Sequence, residues 1–241
     1  GGILNGLDYD VWNPETDSHI PRRYGVETLD AKYDNKAALR QRFWLRDSLK
    51  PIVCYVGRLD HQKGLPLITH AIQYCLQNGC QFVLLGTSPD GRIAHHFAGL
   101  KRHYNDHPDC HLELGFNEEL SRLIYAGSDL IIMPSLFEPC GLTQMIGLKY
   151  GTVPVVRTTG GLADTVFDAD YADKPFQERN GYTFNDFNHA GIESALHRAI
   201  GLWYSYPNHF RELMVNGMRC DYSWNHPGQH YLNVYDYIRD K

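Results

Sequence analysis

The 241-residue sequence has no stretch in which lysine and arginine concentrate, and its formal net charge is −5. Proteins that bind nucleic acid or an anionic membrane surface through charge carry a basic patch, so the sequence predicts neither partner. No apolar run approaches the ~20 residues of a membrane-spanning helix. The opening GGILNGLDYD also lacks the charged and apolar regions of a secretory signal. With 43% hydrophobic residues, we expect a globular chain with a full core and small solutes as partners.

Disulfide and metal frameworks are also missing. The six cysteines lie far apart and form no C-x-x-C pair, which favours reduced, mostly buried thiols. Among the thirteen histidines, the adjacent His95 and His96 cannot share a helix face. His103 and His107 could share one, but no third ligand lies nearby in the sequence. We therefore expect no metal site and no cofactor.

Short apolar runs alternate with longer segments whose apolar residues recur at helical spacing. The runs predict strands over residues 51–57, 81–86, 111–116, 129–135, 153–157 and 181–184, and the intervening segments predict helices over 65–79, 92–104, 118–127 and 142–151. Strands that are apolar on both faces and separated by helices indicate a parallel sheet covered on both sides. The predicted fold class is α/β, a doubly wound Rossmann-like sheet, whose ligand should lie at the carboxyl ends of the strands.

The two ends of the chain differ from this pattern. Residues 1–50 carry Pro, Asp, Asn and charge without clear strands, and we interpret them as an interdomain linker and a lead-in helix over DNKAALRQRFWLRD. Residues 51–241 are predicted to form the Rossmann-like domain with C-terminal helices, broken at Pro207 and Pro227 and rich in Tyr and Trp. Aromatic helices of this kind generally pack against a sheet or a neighbouring domain.

The loop after the first predicted strand, GRLDHQKG, combines a glycine with two cations, namely Gly57, Arg58 and Lys63. Glycine lets a bulky anion approach the backbone, and two cations beside a helix N-terminus can hold a diphosphate without a metal. The loop lacks the G-x-x-x-x-G-K-[ST] spacing of nucleoside triphosphatases. An ordinary strand-to-helix turn with two solvated cations is the alternative.

The loop after the fourth predicted strand reads FEPCGLTQ. Gly141 frees the backbone at the start of a helix, where free N–H groups and the Thr143 hydroxyl can bind phosphate oxygens. Glu138, beside the rigid Pro139, is poorly suited to phosphate and would accept hydrogen bonds from a sugar hydroxyl of the same ligand. Alternatively, Glu138 offsets the helix dipole.

Two further strand ends add to this set. Phe116 lies at the end of the third predicted strand and could stack on a base, although a core position is the commoner outcome for phenylalanine. Gly160 and Gly161 open a helix after the fifth strand and could offer backbone donors, whereas Asp164 or Thr165 could simply cap that helix. Three glycine-bearing turns on one edge of a sheet together predict a phosphate-bearing ligand.

Three segments carry a family resemblance: GRLDHQKGLPLI, LIYAGSDLIIMPSLFEPCGLTQMIGLKYGTVPVVRTTGGLADTVFD and DYSWNHPGQHYLNVYDYI. They resemble the C-terminal half of the ADP-glucose-dependent glycogen and starch synthases, which are retaining glucosyltransferases of the GT-B architecture. The resemblance spans essentially the whole chain and is greatest to cyanobacterial synthases related to plant starch synthase types III and IV. It implies the C-terminal, donor-binding domain of a GT-B enzyme. The N-terminal acceptor domain with its K-x-G-G-L segment is absent from this sequence.

The resemblance implies roles for individual residues. Arg58 and Lys63 would neutralise the donor diphosphate and stabilise the leaving ADP, and Glu138 would lie near the transferred glucose. Phe116 stands where the family has an aromatic residue, commonly tyrosine, that stacks on adenine. Many retaining GT-B enzymes have a second Glu eight residues after the first, but position 146 here is isoleucine. The implied substrate-binding residues are Gly57, Phe116, Cys140, Gly141, Leu142 and Thr143.

The implied reaction transfers glucose from ADP-glucose to the non-reducing 4-OH of an α-1,4-glucan, with retention of configuration. We favour a front-face route over a covalent glucosyl-Glu138 intermediate, because a two-carboxylate mechanism needs a second acid across the bond. The glucan would bind mainly through the absent domain, so this chain alone should bind ADP or ADP-glucose with little or no turnover. The compartment would be the cytosol in a cyanobacterium and the plastid stroma in a plant or alga.

Two alternatives stay open at this point. One is a non-catalytic nucleotide- or glucan-binding module in which C-terminal aromatics stack on sugars, although packing is the commoner role for helical aromatics. The other is a related transferase with UDP-glucose or another nucleotide-sugar donor. The aromatics concerned are Trp203, Tyr204, Tyr206, Trp224 and Tyr231.

Overall fold

A computed structural model describes residues 2–239 of the chain, so Gly1 of the predicted range 1–50 and Asp240 and Lys241 of 51–241 lie outside the described residues. Within them, the strands are β1 Ile52–Arg58, β2 Gln81–Thr87, β3 Cys110–Leu114, β4 Leu130–Met133, β5 Val153–Arg157 and β6 Tyr182–Phe184. They form one sheet in the order β3-β2-β1-β4-β5-β6, and every pairing is parallel. The predicted strands and sheet type are confirmed.

Helices connect and cover the strands. They are α1 Lys32–Arg42, α2 Leu65–Gln77, α3 Gly91–Tyr104, α4 Glu118–Gly127, α5 Thr143–Lys149, α6 Gly161–Thr165, α7 His189–Ser205, α8 Pro207–Arg219 and α9 Asn225–Arg239. Short 3₁₀ turns cover Val26–Ala31, His61–Lys63 and Phe176–Glu178. Over residues 2–239, no helix combines the length and the apolar character required to cross a bilayer.

The strand order fixes where a ligand can bind. Within the sheet, β2 and β3 lie to one side of β1, whereas β4, β5 and β6 lie to the other side of it. This reversal leaves a crevice beyond the carboxyl ends of β1 and β4, which is the usual ligand position in doubly wound sheets. Most of β1, and the whole of β4, is buried, as expected for strands covered by helices on both faces.

The segment before β1 packs on the same core as the sheet. Leu7, Tyr24 and Leu29 are buried in it. Leu7 forms an isolated bridge with Ser223, which joins this segment to the chain between α8 and α9. Lys32 is also buried, and its Nζ donates to the carbonyls of Tyr125, Ala126 and Tyr150 and to the hydroxyl of Thr152, all at 2.9–3.0 Å.

The break at Pro207 is confirmed, because α8 begins there with proline in its first turn. The predicted break at Pro227 is wrong. α9 already begins at Asn225, and Pro227 lies in its first turn, where a missing N–H removes no helical hydrogen bond. The interruption falls between α8 and α9, at residues 220–224.

The C-terminal aromatics are only partly packed. Trp203 is half-buried, and its Nε1 donates to Asp129 at 3.2 Å. Tyr204, Tyr206, Trp224 and Tyr231 keep between 38% and 61% of their surface exposed. None of the six cysteines is paired within the described residues, and four of them, Cys54, Cys75, Cys80 and Cys110, are buried.

Candidate functional site

Two adjoining clefts open at the carboxyl ends of β1, β2 and β4. The first, which we call the aromatic cleft, has a volume of about 260 Å³ and is lined by Phe116, Trp12 and Tyr125 among others. The second, the cationic cleft, has a volume of about 240 Å³ and is lined by Arg58 and Lys63 among others. The shared wall of the two clefts consists of Val56, Gly57, Arg58 and Thr143. The structure thus brings five predicted site residues together: Gly57, Arg58, Lys63, Phe116 and Thr143.

The last residue of β1, Arg58, and Lys63 in the following loop are placed differently. The Arg58 side chain is 67% exposed, and its guanidinium lies 3.4 Å from the Asp60 carboxylate. Its backbone is fixed, because the Tyr55 hydroxyl donates to the Arg58 carbonyl at 2.5 Å. Lys63 ends the 3₁₀ turn and is only 17% exposed at its side chain. Arg58 therefore points into solvent at the cleft mouth, and Lys63 lies in the cleft wall.

A close backbone approach joins this loop to the one after β4. Gly64 has φ 75°, and a Cβ there would lie 2.0 Å from the Pro134 carbonyl oxygen, so only glycine fits. Beside it, the Leu136 N–H donates to the Gln62 carbonyl at 2.8 Å. Arg157, at the end of β5, donates to the Leu136 carbonyl at 2.8 Å. These contacts fix the position of the loop that carries Glu138.

Glu138 and Lys63 form a buried ion pair. Lys63 Nζ lies 2.5 Å from Glu138 Oε2, and the Ser135 hydroxyl donates to the same oxygen at 3.1 Å. Glu138 is 6% exposed, and the lining of the two clefts within residues 2–239 does not include it. The sequence predicted a cation for the diphosphate and an acid for the sugar, and the structure shows that the two are partners.

The remainder of the FEPCGLTQ segment leads into α5. Gly141 adopts φ 74°, a left-handed conformation that glycine accepts without strain. Leu142 is 45% exposed and precedes the first helical residue, Thr143. The half-buried Cys140 thiol accepts from the Asn5 N–H at 3.3 Å. Of these, Thr143 contacts the clefts directly, whereas Cys140 faces the N-terminal segment.

The two glycines after β5 pack against this segment. A Cβ on Gly160 would lie 2.1 Å from the Glu138 carbonyl oxygen, and one on Gly161 would lie 2.1 Å from that of Cys140. The Gly161 N–H donates to the Glu138 carbonyl at 2.9 Å. The prediction of a free backbone donor is therefore wrong for Gly161, which supports the Glu138 loop instead.

Phe116 is 85% exposed at the edge of the aromatic cleft, so the core alternative for this ring is wrong. The next residue, Asn117, caps α4 by accepting from the Leu120 N–H at 2.8 Å. An exposed phenyl ring on a fixed helix start is a suitable platform for a flat ring.

Trp12 and Tyr125 form the inner part of the aromatic cleft, and sequence reasoning missed both. Their rings meet edge to face at a centroid distance of 6.0 Å. The Arg122 guanidinium lies 4.4 Å from the centroid of the Trp12 ring and 3.2 Å from the Asp17 carboxylate, which fixes the N-terminal segment to α4. Burial raises the pKa of the Tyr125 phenol, so it stays protonated at neutral pH. Trp12 lies far from the other cleft residues in sequence, and no local periodicity marks it.

Within the described residues, no group of three or more His, Cys, Asp or Glu side chains is arranged to hold a metal ion. The charges that line the cationic cleft come from Arg58 and Lys63. Such a cleft is suited to an anionic group such as a diphosphate.

Comparisons with known proteins give a consistent result. A family model described as "Glycosyl transferases group 1" matches residues 39–212. The chain is 66% identical over 240 residues to "Glycogen synthase 1" of Nitrosococcus oceani, covering 100% of this chain and 49% of that protein. It is 59% identical over 241 residues to "Glycogen synthase 1" of Synechococcus sp., again covering 100% and 49%.

The structural match is equally extensive. The chain superposes with a TM-score of 0.97 and 42% identity on the "Catalytic domain of Starch Synthase IV from Arabidopsis thaliana bound to ADP and acarbose". The superposition covers 100% of this chain and 49% of that one. The chain thus spans about half the length of the curated relatives it matches.

Proposed function

The chain belongs to the group 1 glycosyl transferases, and we propose that it is the donor-binding half of a retaining glucosyltransferase. The proposed reaction moves glucose from ADP-glucose to the non-reducing 4-OH of an α-1,4-glucan. The relatives named glycogen synthase and the starch synthase bound to ADP and acarbose support this substrate pair. Residues 1–50 would connect this half to an acceptor-binding half, and residues 51–241 would bind the donor together with Trp12, which lines the aromatic cleft.

One observation carries the proposal. Arg58, Lys63 and Thr143 line a single cleft, which adjoins a second cleft with an exposed phenyl ring at its edge. A diphosphate in the cationic cleft would place its nucleoside toward Phe116 and its sugar toward the loop that carries Glu138. Because Glu138 already holds Lys63 in the cleft wall, little reorganisation of this cation would be needed when the ligand binds.

The proposed chemistry is stabilisation of the leaving group. As the glycosidic C–O bond breaks, negative charge grows on the diphosphate, and Arg58 and Lys63 would bind this charge more strongly than the ground state. The backbone N–H groups at the start of α5 and the Thr143 hydroxyl would add uncharged donors. The ADP that departs would take the bonding electron pair, and its phosphate would accept the proton of the acceptor hydroxyl on the same face.

The environment of Glu138 supports this front-face route. Its carboxylate is buried and shared between the Lys63 ammonium and the Ser135 hydroxyl, which lowers its nucleophilicity. Ile146 occupies the position of the second acid found in related enzymes, so a two-carboxylate mechanism has no second member there. Glu138 would instead hold Lys63 in place and orient it toward the sugar-phosphate bond.

Calorimetric titration of the chain with ADP, ADP-glucose and UDP tests the proposal. We expect one saturable site for ADP and ADP-glucose and weaker binding of UDP, because the aromatic cleft would stack a purine more extensively than a pyrimidine. Leu49→Ala is a matched surface control, since Leu49 is 92% exposed and lines neither cleft. Absence of ADP binding at millimolar concentration would refute the assignment. Equal affinity for ADP and UDP would instead indicate that the site takes another nucleotide-sugar donor.

A further inference from the structure

Gln144 is a fully buried polar residue in the first turn of α5. Its Nε2 lies near three oxygen atoms: the Cys140 carbonyl at 3.1 Å, the Gly141 carbonyl at 2.9 Å and the Thr165 hydroxyl at 3.0 Å. Two of these belong to the segment between Glu138 and α5, and the third belongs to α6. One side-chain amide thus links the β4–α5 loop to a neighbouring helix.

The orientation of this amide is determined by its neighbours. The two carbonyls can only accept hydrogen bonds. The Thr165 hydroxyl donates its own proton to the Gly161 carbonyl at 2.6 Å, so it must accept from Gln144. All three neighbours are therefore acceptors. The NH₂ group must face them, and its two protons are shared among three oxygens.

The other end of the amide shows what this arrangement costs. Gln144 Oε1 is buried and has no hydrogen-bond partner within residues 2–239. It lies 2.5 Å from the point that a Cβ on Gly141 would occupy, so it fills the space left open by that glycine. A leucine or methionine at position 144 would avoid the unsatisfied acceptor, but it could not bind the three oxygens.

Resting on the function proposed above, we propose that Gln144 is a positioning residue for the donor site. By holding the Cys140 and Gly141 carbonyls toward α6, it fixes the backbone that leads into Thr143, which lines the cationic cleft. Gly141 and Gln144 act as a unit, since the left-handed glycine makes room for the amide and the amide fixes the glycine's carbonyl. The buried amide would therefore set the affinity for the diphosphate without touching it.

Gln144→Glu provides a readout that general destabilisation does not. An ionised carboxylate would face three acceptors and repel them, whereas a protonated carboxyl could restore one donor. We expect the ADP dissociation constant of this variant, divided by that of the unsubstituted chain at the same pH, to rise about tenfold between pH 5.5 and pH 8, the equivalent of about one hydrogen bond. Circular dichroism at each pH would verify that the variant stays folded.

Gln144→Leu and Thr165→Val separate the two sides of the contact. Gln144→Leu removes both donors, so ADP affinity should fall about tenfold or more with a ratio that does not depend on pH. Thr165→Val leaves the bonds to Cys140 and Gly141 intact and should have a smaller effect. Hydrogen exchange of the amides at residues 140–143, measured without nucleotide, should be faster in Gln144→Leu than in Thr165→Val.

The outcomes are separable from those of the proposed function. If the unsubstituted chain does not bind ADP, the proposed function falls, and exchange alone then decides whether Gln144 fixes the loop. Unchanged exchange in Gln144→Leu would overturn the positioning role. Faster exchange with unchanged ADP affinity would overturn the link to the ligand. If Gln144→Leu does not fold, the pH dependence of Gln144→Glu decides.

Discussion

Arg58, the last residue of β1, and Lys63, in the loop that follows, carry the same charge and line the same cleft, yet their surroundings are opposite. The Arg58 side chain is 67% exposed and lies 3.4 Å from Asp60. The Lys63 side chain is 17% exposed and lies 2.5 Å from Glu138, whose side chain is only 8% exposed. Exposed ion pairs contribute little to stability, whereas separating a buried pair leaves a charge without compensation. Arg58 is therefore free to serve a ligand, and Lys63 is part of the structure as well as of the cleft.

The difference indicates how the site combines rigidity with access. The buried pair joins the loops after β1 and β4, and Gly64 lets the two backbones touch. On this fixed base, the exposed Arg58 and Phe116 can adjust to a ligand. Substitution of Arg58 or Phe116 should therefore change ligand affinity alone, whereas substitution of Lys63 should change both affinity and stability.

The largest effect is expected for Lys63→Ala. Removing the ammonium leaves the Glu138 carboxylate buried with only the Ser135 hydroxyl, so the free energy of unfolding should fall by about 3 kcal/mol. ADP affinity should fall as well. Urea unfolding and calorimetry measure the two effects. The double variant Lys63→Met/Glu138→Gln should recover much of the stability but not the ADP affinity. An unchanged free energy of unfolding in Lys63→Ala would contradict the structural role that distinguishes Lys63 from Arg58.

Arg58→Ala should affect binding alone. The side chain is mostly exposed, so the free energy of unfolding should change by less than about 0.5 kcal/mol. A charged hydrogen bond contributes about 1.5–3 kcal/mol, so ADP affinity should fall about 10- to 100-fold. Arg58→Lys should retain part of the affinity, because it keeps the charge and loses the planar fork. Unchanged affinity in Arg58→Ala would place the diphosphate elsewhere.

Phe116→Ala tests the aromatic cleft, whose exposed phenyl ring lies outside the cationic cleft. Stacking of a base on an aromatic ring contributes about 1–3 kcal/mol, so we expect about a tenfold loss of ADP affinity with unchanged unfolding. Phe116→Tyr should bind as well as the unsubstituted chain, since it keeps the ring. Inorganic pyrophosphate should bind Phe116→Ala and the unsubstituted chain equally, because it has no base to stack. A loss of pyrophosphate binding in Phe116→Ala would show that the ring does not act by stacking on the base alone.

The ion pair between Asp168 and Arg198 is buried and lies outside the clefts, so substituting Asp168 should have the smallest effect on ADP affinity. Burial alone would raise the pKa of Asp168, but hydrogen bonds from Arg198 and from the Asp170 and Thr183 amides outweigh it and lower the pKa below its ordinary value. The contribution of Asp168 to stability is therefore complete above the unfolded pKa of about 3.9 and is lost as the pH falls through the lower folded value.

Urea unfolding between pH 7 and pH 3 measures this contribution. The loss of stability on acidification should be smaller in Asp168→Asn than in the unsubstituted chain. ADP affinity at pH 7 should be the same in both, because Asp168 lines neither cleft. A change in affinity would show that the two buried pairs are not independent.

The fold predictions that were confirmed rest on local patterns. Apolar runs between amphipathic segments predicted the positions of the strands along the chain and their parallel pairing. Glycine with charge at the strand ends singled out Arg58, Lys63 and Thr143, which line one cleft in the structure. The misses come from contacts between distant residues. The Lys63–Glu138 pair spans 75 positions, and nothing in either loop shows that the two charges cancel each other.

The N-terminal segment teaches the same lesson. Its charge and its Pro and Asp content predicted a linker, yet Trp12 lines the aromatic cleft, and Lys32 lies in the core among helix carbonyls. A lysine is normally expected at the surface. The burial of Lys32 could not be predicted, because the backbone carbonyls that accept its hydrogen bonds are not marked by any sequence pattern. Pro227 shows the complementary limit, since a proline breaks a helix interior but not its first turn.

The most direct test of the central claim is a map of amide chemical shifts in the chain as ADP is added. We predict that the largest changes fall on residues 57–63, on Phe116 and Asn117, and on residues 141–143, which together surround the two clefts. Changes confined to other surfaces, such as the exposed side of α9, would contradict the claim that this edge of the sheet holds the nucleotide diphosphate.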